Sequence, residues 1–205
     1  HLFGTSSGDI NYGSWTGGIF LNTYGKQDGS NYLSTVYDTL VQGCFFRGNY
    51  GNSVWSHLQG YSTLFSDLRV LGNSFIDNGL DCIQFGGVSG GAVIGNRTRR
   101  TGYIPADHSA DVSSTNPAIP QYLGAAYSVA LDTAGICKNV TYANNTFISS
   151  NGADIDADGF CYGAITGNVC YTPFPYDPEY TEDRISATNT SGYAWIGNTY
   201  GDRKS

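Results

Sequence analysis

Short apolar segments alternate with tight turns along the chain, and five of the turns share one pattern. In each, an apolar segment leads to a small or polar residue followed by asparagine, and the residue before the asparagine is glycine in four of the five copies. The repeated asparagines are Asn73, Asn96, Asn145, Asn168 and Asn198. The spacing from Asn73 to Asn96 equals the spacing from Asn145 to Asn168, and the other two spacings are longer. A repeat in the low twenties predicts a solenoid in which each repeat forms one coil.

Short strands joined by sharp turns predict an all-β fold, a single right-handed parallel β-helix of about seven coils with strands about 4.8 Å apart. Ile19 to Leu21 is a predicted strand, and Leu40 to Phe46 resembles the repeat with Cys44 in the asparagine position. Equivalent side chains stack from coil to coil. The expected inward apolar stacks are Val70, Val93 and Tyr142, and Phe75 with Phe147. The repeated asparagines are expected to form a ladder of inward carboxamides.

The whole chain, residues 1–205, is predicted to be a single domain. Residues 1–18 are rich in Gly and Ser and are interpreted as a lead-in or cap. The segments 101–122 and 172–191 are interrupted by proline and lack the repeat, so they are predicted loop insertions. Neither end shows an amphipathic capping helix, and exposed end coils favour pairing with another molecule.

Composition agrees with a turn-rich β protein. The chain has 28 Gly, 16 Tyr and no Met, and its acidic residues are nearly all Asp. A net charge of −7 with only 10 Lys and Arg argues against a nucleic-acid partner. The sequence contains no run of 18 apolar residues, so it predicts no membrane span. The amino terminus lacks a signal-peptide layout, as expected if a signal has been removed.

Cysteines and glycosylation motifs predict an extracellular, secreted protein. The disulfide candidates are Cys44, Cys82, Cys137, Cys161 and Cys170, of which four would form two disulfides and leave one over. Asn-X-Ser/Thr motifs begin at Asn96, Asn139, Asn144 and Asn189. Because Asn96 is expected to point inward, the predicted glycosylation sites are the other three.

The segments from Asn73 to Ile83 and from Asn145 to Asp154 resemble the β-helix repeat of the pectin-lyase-like superfamily, and the likeness extends from about Leu40 to Tyr200. The resemblance implies the β-helix fold. It leaves the activity open, because that superfamily contains lyases, hydrolases, epimerases and proteins without catalytic activity. The polygalacturonase motifs Asn-Thr-Asp, Asp-Asp, Gly-His-Gly and Arg-Ile-Lys are not found. The epimerase box is matched only by Tyr176-Asp177-Pro178-Glu179, which lacks its histidine.

The catalytic candidates are the residues that a polysaccharide lyase or hydrolase would use. Arg97 and Arg99, followed by Arg100, could neutralise a uronate carboxylate, and Lys138 lies in the turn before the next repeat. Asp81 and His108 complete the set, with His108 on the predicted loop 101–122. The alternative interpretation is that the arginines are exposed residues that balance an acidic chain.

Asp154, Asp156 and Asp158, followed by Gly159, match the first half of a calcium loop, because Ca²⁺ prefers several oxygen ligands around a tight turn. The twelfth position is Ile165 rather than Glu, so the motif is not an EF-hand. The alternative is a solvated acidic strand with Ile155 and Ala157 pointing inward. Calcium is the one predicted cofactor.

Two classes of function follow. The first is a secreted carbohydrate-active protein that cleaves an acidic polysaccharide at a site formed by the Arg97 region, Asp81, the 154–158 acidic row and the two loops. The second is a non-catalytic extracellular glycoprotein whose end coils self-associate into fibres or a surface layer. Exposed aromatic residues such as Trp55 and Trp195 could stack on sugars, or could fill the interior.

Overall fold

A computed structural model of the protein describes residues 18–21, 36–49, 52–56, 65–78, 81–101, 131–134, 137–150, 154–157, 159–171, 185–186 and 191–200. All regular secondary structure in these ranges is β-strand, so the predicted all-β class is confirmed. The strands are Ile19–Leu21 (β1), Val36–Tyr37 (β2), Leu40–Gln42 (β3), Phe45–Arg47 (β4), Val54–Ser56 (β5), Phe65–Leu71 (β6), Ser74–Asn78 (β7), Ile83–Gly86 (β8), Val88–Ile94 (β9), Arg97–Thr101 (β10), Leu131–Ala134 (β11), Cys137–Ala143 (β12), Thr146–Ser150 (β13), Ile155–Asp156 (β14), Phe160–Cys161 (β15), Ala164–Thr166 (β16), Val169–Tyr171 (β17), Ile185–Ser186 (β18), Ala194–Ile196 (β19) and Thr199–Tyr200 (β20).

The strands form three sheets in which every recorded pairing is parallel. Sheet A has the order β1-β5-β8-β11-β14-β18, and sheet C has the order β20-β17-β13-β10-β7-β4. Sheet B has the order β19-β16-β12-β9-β6-β2, with β3 also paired to β6 and β15 also paired to β12. The chain passes from sheet B to sheet C to sheet A and back to sheet B, and each strand pairs with its equivalent in the next pass. This order is compatible with a parallel β-helix.

The turn from sheet B to sheet C explains why glycine precedes the repeated asparagine. Gly72, Gly95, Gly167 and Gly197 have φ between 60° and 66°, the left-handed region that glycine enters without steric cost. Asn144 occupies the same position in the remaining copy with φ 53°. Asparagine is among the few other residues that tolerate this conformation.

Inward side chains form apolar rows that run from strand to strand. Val70, Val93 and Tyr142 are in register in sheet B and are completely buried. In sheet C, Phe75 and Phe147 belong to one row, with Thr98 between them. Both predicted stacks are therefore confirmed in register, although a polar residue interrupts the second. Burial of each large apolar side chain contributes about 1.5–3 kcal/mol.

The predicted asparagine ladder is present at all five positions. In each of the four steps between successive asparagines, the Oδ1 atom of the next asparagine accepts hydrogen bonds from the backbone N–H and from Nδ2 of the one before it. The backbone bonds are 2.9–3.0 Å long, from Asn73 to Asn96, Asn96 to Asn145, Asn145 to Asn168 and Asn168 to Asn198. Each Nδ2 also donates to a carbonyl of a sheet B strand, as Asn145 does to Val93 O at 2.9 Å. Cys44 takes the predicted equivalent position, and its N–H donates to Asn73 Oδ1 at 2.8 Å.

A second buried polar row lies where sheet C leads into sheet A, and the sequence pattern did not indicate it. The N–H of Asn49 donates to Asn78 Oδ1 at 3.4 Å, and Thr101 is in register with both Asn78 and Ser150. All four side chains are buried. Asparagine, threonine and serine share this row, so no single residue type recurs at every position to reveal it in the sequence.

The predicted boundaries fall mostly outside the described residues. Of the lead-in 1–18, only Gly18 is described, and of the loop insertion 101–122 only Thr101, which ends β10. Within 172–191, Ile185 and Ser186 form β18 of sheet A, so part of this segment returns to the sheets. In the part of the chain that the structure describes, no helix has the length and apolar character needed to cross a membrane.

Candidate functional site

Several arginines of the described residues lie on the outer side of sheet C. Arg47 lies on β4, and Arg97 and Arg99 lie on β10, all three with exposed side chains. Alternate residues of a strand point to opposite faces, and the inward Phe46 and Thr98 beside them are buried. Arg100 follows near the end of β10 and is partly buried. We call the outer surface carrying Arg47, Arg97 and Arg99 the arginine face.

One carboxylate of the described residues pairs with two of these arginines. Asp77 on β7 forms an ion pair with Arg100, and its Oδ2 lies 3.9 Å from Arg47 Nε. Asp77 and Arg100 both have φ 56°, a left-handed conformation that bends the strand end. The Asp77 side chain is only 14% exposed, whereas that of Arg47 is 69% exposed. The carboxylate therefore orients Arg100 near the end of β10, contacts the exposed Arg47, and leaves Arg97 and Arg99 facing solvent.

The other catalytic candidates lie elsewhere. Lys138 is exposed on β12 of sheet B, in register with Ser89. Asp81 is half-buried just before β8 of sheet A, where its carbonyl accepts the N–H of Ser53 at 3.0 Å. The structure therefore does not place Lys138 or Asp81 on the arginine face, because each belongs to a different sheet. His108 lies outside the described residues.

The acidic row divides between the interior and the outer side of sheet A. Asp154 is completely buried just before β14, and its carbonyl accepts the N–H of Leu131 at 3.0 Å. Asp156 is partly buried on β14, Ala157 is buried, and Asp158 lies outside the described residues. Within the described ranges, no three His, Cys, Asp or Glu side chains form a group suited to a metal ion.

Register reveals one further acidic position that the sequence analysis did not select. Asp132 on β11 pairs with Asp156 on one side and with Gln84 on the other. The spacing of the two aspartates in the sequence is close to the repeat length and could have indicated the pairing. Trp55 continues the row on β5 and is only 8% exposed, so it is not an open sugar-stacking platform.

None of the four cysteines whose side chains are described forms a disulfide bond, which does not support the predicted disulfides. Cys44 lies in the ladder position, Cys82 near Thr101 and Asn78, Cys137 near the carbonyl of Phe85, and Cys170 in the inward row of sheet C. These four positions belong to different rows of the fold, so stacking of the repeats does not bring them together. Cys161 lies on β15 in register with Lys138, and its side chain is outside the description.

Burial raises the pKa of the Cys82 thiol to about 12. Hydrogen bonds from Thr101 and Asn78 lower that pKa in part, and the nearby Asp81 raises it further. Thiolate is the reactive form of cysteine, so this side chain is a neutral, structural group at ordinary pH. It belongs to the second polar row rather than to a chemical site.

The glycosylation motifs separate as expected from the ladder. Asn96 is 1% exposed and bonded within the ladder, which confirms that it points inward. Asn139 and Asn144 are exposed, with φ 54° and 53°. Both can present a side chain to solvent, and glycosylation there stays a prediction. Asn189 lies outside the described residues.

Comparison with protein-family models, with curated proteins and with solved structures finds no match to this chain.

Proposed function

We propose that the protein binds an acidic polysaccharide on the arginine face of sheet C. The observation that carries this proposal is the grouping of Arg47, Arg97 and Arg99 on one outer surface of a chain whose net charge is −7. Asp77 is the one acidic residue on the described strands of sheet C, and it is engaged by Arg100 and Arg47. A local cationic surface on an acidic protein attracts anions while the remaining surface repels them.

The guanidinium group suits sugar carboxylates in particular. Its planar fork donates two parallel N–H bonds to one carboxylate, and charge-assisted bonds of this kind are about twice as strong as neutral ones. Phe45 and Tyr171, exposed at 55% and 46%, lie on the same outer face and can pack against the apolar faces of sugar rings. Arginine and aromatic side chains together favour a uronate polymer over a simple inorganic anion.

The finer description of the molecule belongs to the same proposal. We take the three sheets to be the sides of a right-handed parallel β-helix of about seven coils, similar to the pectin-lyase-like superfamily. An extracellular location follows from a polysaccharide ligand and from the exposed motifs at Asn139 and Asn144. Calcium has no part in this proposal, because Asp154 is completely buried and Asp156 is half-buried.

Cleavage of the bound polymer is the catalytic extension of this proposal. Elimination from a uronate needs a cation beside the carboxylate and a base beside the C5 proton. Arg97 and Arg99 point outward from the same strand and can neutralise the carboxylate, which acidifies the C5 proton. A protonated guanidinium has no lone pair to accept that proton, so water takes it as the C4–O bond breaks, and the leaving oxygen is protonated from solvent. Formation of unsaturated uronate, followed by ultraviolet absorbance, would reveal this activity. Binding without such a product would restrict the function to recognition.

The arginines give the direct test of binding. Arg97→Ala and Arg99→Ala are each expected to weaken the binding of oligogalacturonate about tenfold, since a hydrogen bond to a charged group contributes about 1.5–3 kcal/mol and exposure reduces that figure. Isothermal titration calorimetry measures the affinity, which should also fall with added salt.

Arg69→Ala is the matched control, because Arg69 is exposed on the outer side of β6 in sheet B. The Arg69→Ala variant is expected to bind oligogalacturonate with the same affinity as the unmodified protein. Equal effects of the Arg69 and Arg97 substitutions would show only a general attraction to charge. Full affinity in the Arg97→Ala, Arg99→Ala double variant would refute the proposed site.

A second candidate function is end-to-end assembly of copies, and edge strand β19 favours it. Trp195 belongs to an inward row whose members Val70, Val93, Tyr142 and Ile165 are completely buried, yet it is 37% exposed. The adjacent Ile196 is 64% exposed. Apolar side chains on an edge strand favour pairing with another strand.

Assembly through β19 predicts a mass that rises with protein concentration in analytical ultracentrifugation. The Trp195→Ser, Ile196→Ser double variant should then sediment as a monomer at all concentrations. Tyr171→Ser, at an exposed position on sheet C, serves as the control and should assemble as the unmodified protein does. A concentration-independent monomer for the unmodified protein would eliminate this candidate.

A further inference from the structure

The outer face of sheet C is corrugated. Strands whose outward side chains are exposed alternate with strands whose outward side chains are partly buried. The exposed pairs are Phe45 and Arg47 on β4, Arg97 and Arg99 on β10, and Val169 and Tyr171 on β17, where Tyr171 is the large side chain. The intervening pairs are Ser74 and Ile76 on β7, and Thr146 and Ile148 on β13.

Pair register places these side chains in two continuous rows. Arg97 lies between Ser74 and Thr146, and Arg99 lies between Ile76 and Ile148. Phe45 and Arg47 flank β7 on its other side, and Val169 and Tyr171 flank β13. Each low strand therefore lies between two high ones, which are separated by two strand spacings, about 9.6 Å.

Exposure follows the same alternation. Phe45 is 55% exposed, Val169 40% and Tyr171 46%, whereas Ser74, Ile76, Thr146 and Ile148 are all partly buried. The surface thus has two shallow grooves that run parallel to the strands. The first has β7 as its floor, the second has β13, and the ridge of Arg97 and Arg99 forms a wall of both.

We propose that each groove holds one acidic sugar chain lying along the strand direction, so that one protein molecule holds two chain segments side by side. This inference rests on the proposed binding of an acidic polysaccharide and adds the orientation and number of the chains. A chain running from strand to strand instead would have to cross the ridges of β4, β10 and β17. A chain within a groove contacts the floor and both walls.

The two grooves offer related but unequal contacts. In the first, Arg47 faces Arg99 across Ile76 and Phe45 faces Arg97 across Ser74, so each wall of the groove carries at least one arginine. Asp77 follows Ile76 at one end of this floor, where it is paired with Arg100 and Arg47. In the second, Tyr171 replaces the second cationic wall. The first groove is therefore expected to bind more tightly, and both depend on the shared arginine ridge.

Filling one floor at a time tests this arrangement with trigalacturonate as the probe. Calorimetry of the unmodified protein is expected to give two bound trigalacturonates per molecule. Ser74→Leu fills the first groove and Thr146→Leu fills the second, so each variant is expected to bind one. Ala164→Leu makes the same addition at a partly buried outward position of sheet B and should retain both.

Circular dichroism and the unfolding midpoint identify any variant that does not fold. Should Thr146→Leu be misfolded, Ile148→Phe raises the same floor at the other outward position of β13. One bound trigalacturonate in the unmodified protein, or two in both groove variants, would overturn the inference of two grooves. Either stoichiometry leaves the proposed binding function intact, because that function is tested separately. It is refuted when the Arg97→Ala, Arg99→Ala double variant binds with full affinity.

Discussion

Asn145→Ala is expected to lower the free energy of unfolding by about 3–5 kcal/mol. Asn145 Oδ1 accepts two hydrogen bonds from Asn96, one from its backbone N–H at 2.9 Å and one from the Nδ2 of Asn96 at 3.0 Å. Asn145 Nδ2 donates to Val93 O and to Asn168 Oδ1, both at 2.9 Å. Alanine removes all four bonds. It leaves the Asn96 N–H and the Val93 carbonyl buried without these partners, and each such group costs about 1–3 kcal/mol.

The neighbouring Asn144 provides the control for this experiment. Asn144 is exposed with φ 53°, and the equivalent position is glycine in the four other copies of the repeat. Asn144→Gly is therefore expected to change stability by no more than about 0.5 kcal/mol. Urea unfolding followed by circular dichroism measures both variants. A loss below about 1 kcal/mol for Asn145→Ala would mean that water or a shift of the turn replaces the ladder bonds.

Phe75→Ala is expected to destabilise the fold by about 3–5 kcal/mol, because a large buried side chain leaves a cavity that its neighbours fill only in part. Phe75 is completely buried. Its ring stacks on Phe46 with centroids 4.8 Å apart and an interplanar angle of 6°. The substitution removes this contact as well as the buried apolar area, and aromatic pairs contribute about 0.5–1.5 kcal/mol beyond area.

Phe45→Ala is the matched control, since it makes the same change from phenylalanine to alanine on the strand that carries Phe46. Phe45 points outward and is 55% exposed, so its loss is expected to change stability by no more than about 0.5 kcal/mol. The midpoint of thermal unfolding ranks the two variants. Equal losses for Phe45→Ala and Phe75→Ala would show that the alternation of inward and outward side chains in sheet C is incorrect.

The repeated features of the fold could be predicted because their causes are local. Each sheet B to sheet C turn needs a left-handed residue followed by a carboxamide, so glycine and asparagine recur together in the sequence. The inward rows through Val70 and Phe75 were predictable for the same reason. Thr98 in the second row was not expected, because one position of a long row can be polar without disturbing the pattern around it.

The candidate site could be predicted only in part. Arg97 and Arg99 were selected from their neighbouring positions in sequence, but their partner on the same face, Arg47, lies on β4, which is separated from their strand by β7 in the sheet. Lys138 was selected with them and lies on a different sheet. Asp154 and Asp156 were grouped from their spacing in the sequence, whereas the structure buries the first and leaves the second partly accessible.

The sequence by itself determined the β class, the parallel stacking of repeats and the asparagine ladder, because turn conformation and side-chain alternation act over a few residues. Only the tertiary structure decided which side chains share an outer face. That depends on the register between strands that are far apart in the sequence, as for Arg99, Ile76 and Ile148. Register also joins Asn78 and Thr101 in the second polar row. Stacking converts a periodic sequence into surfaces whose chemistry no single repeat contains.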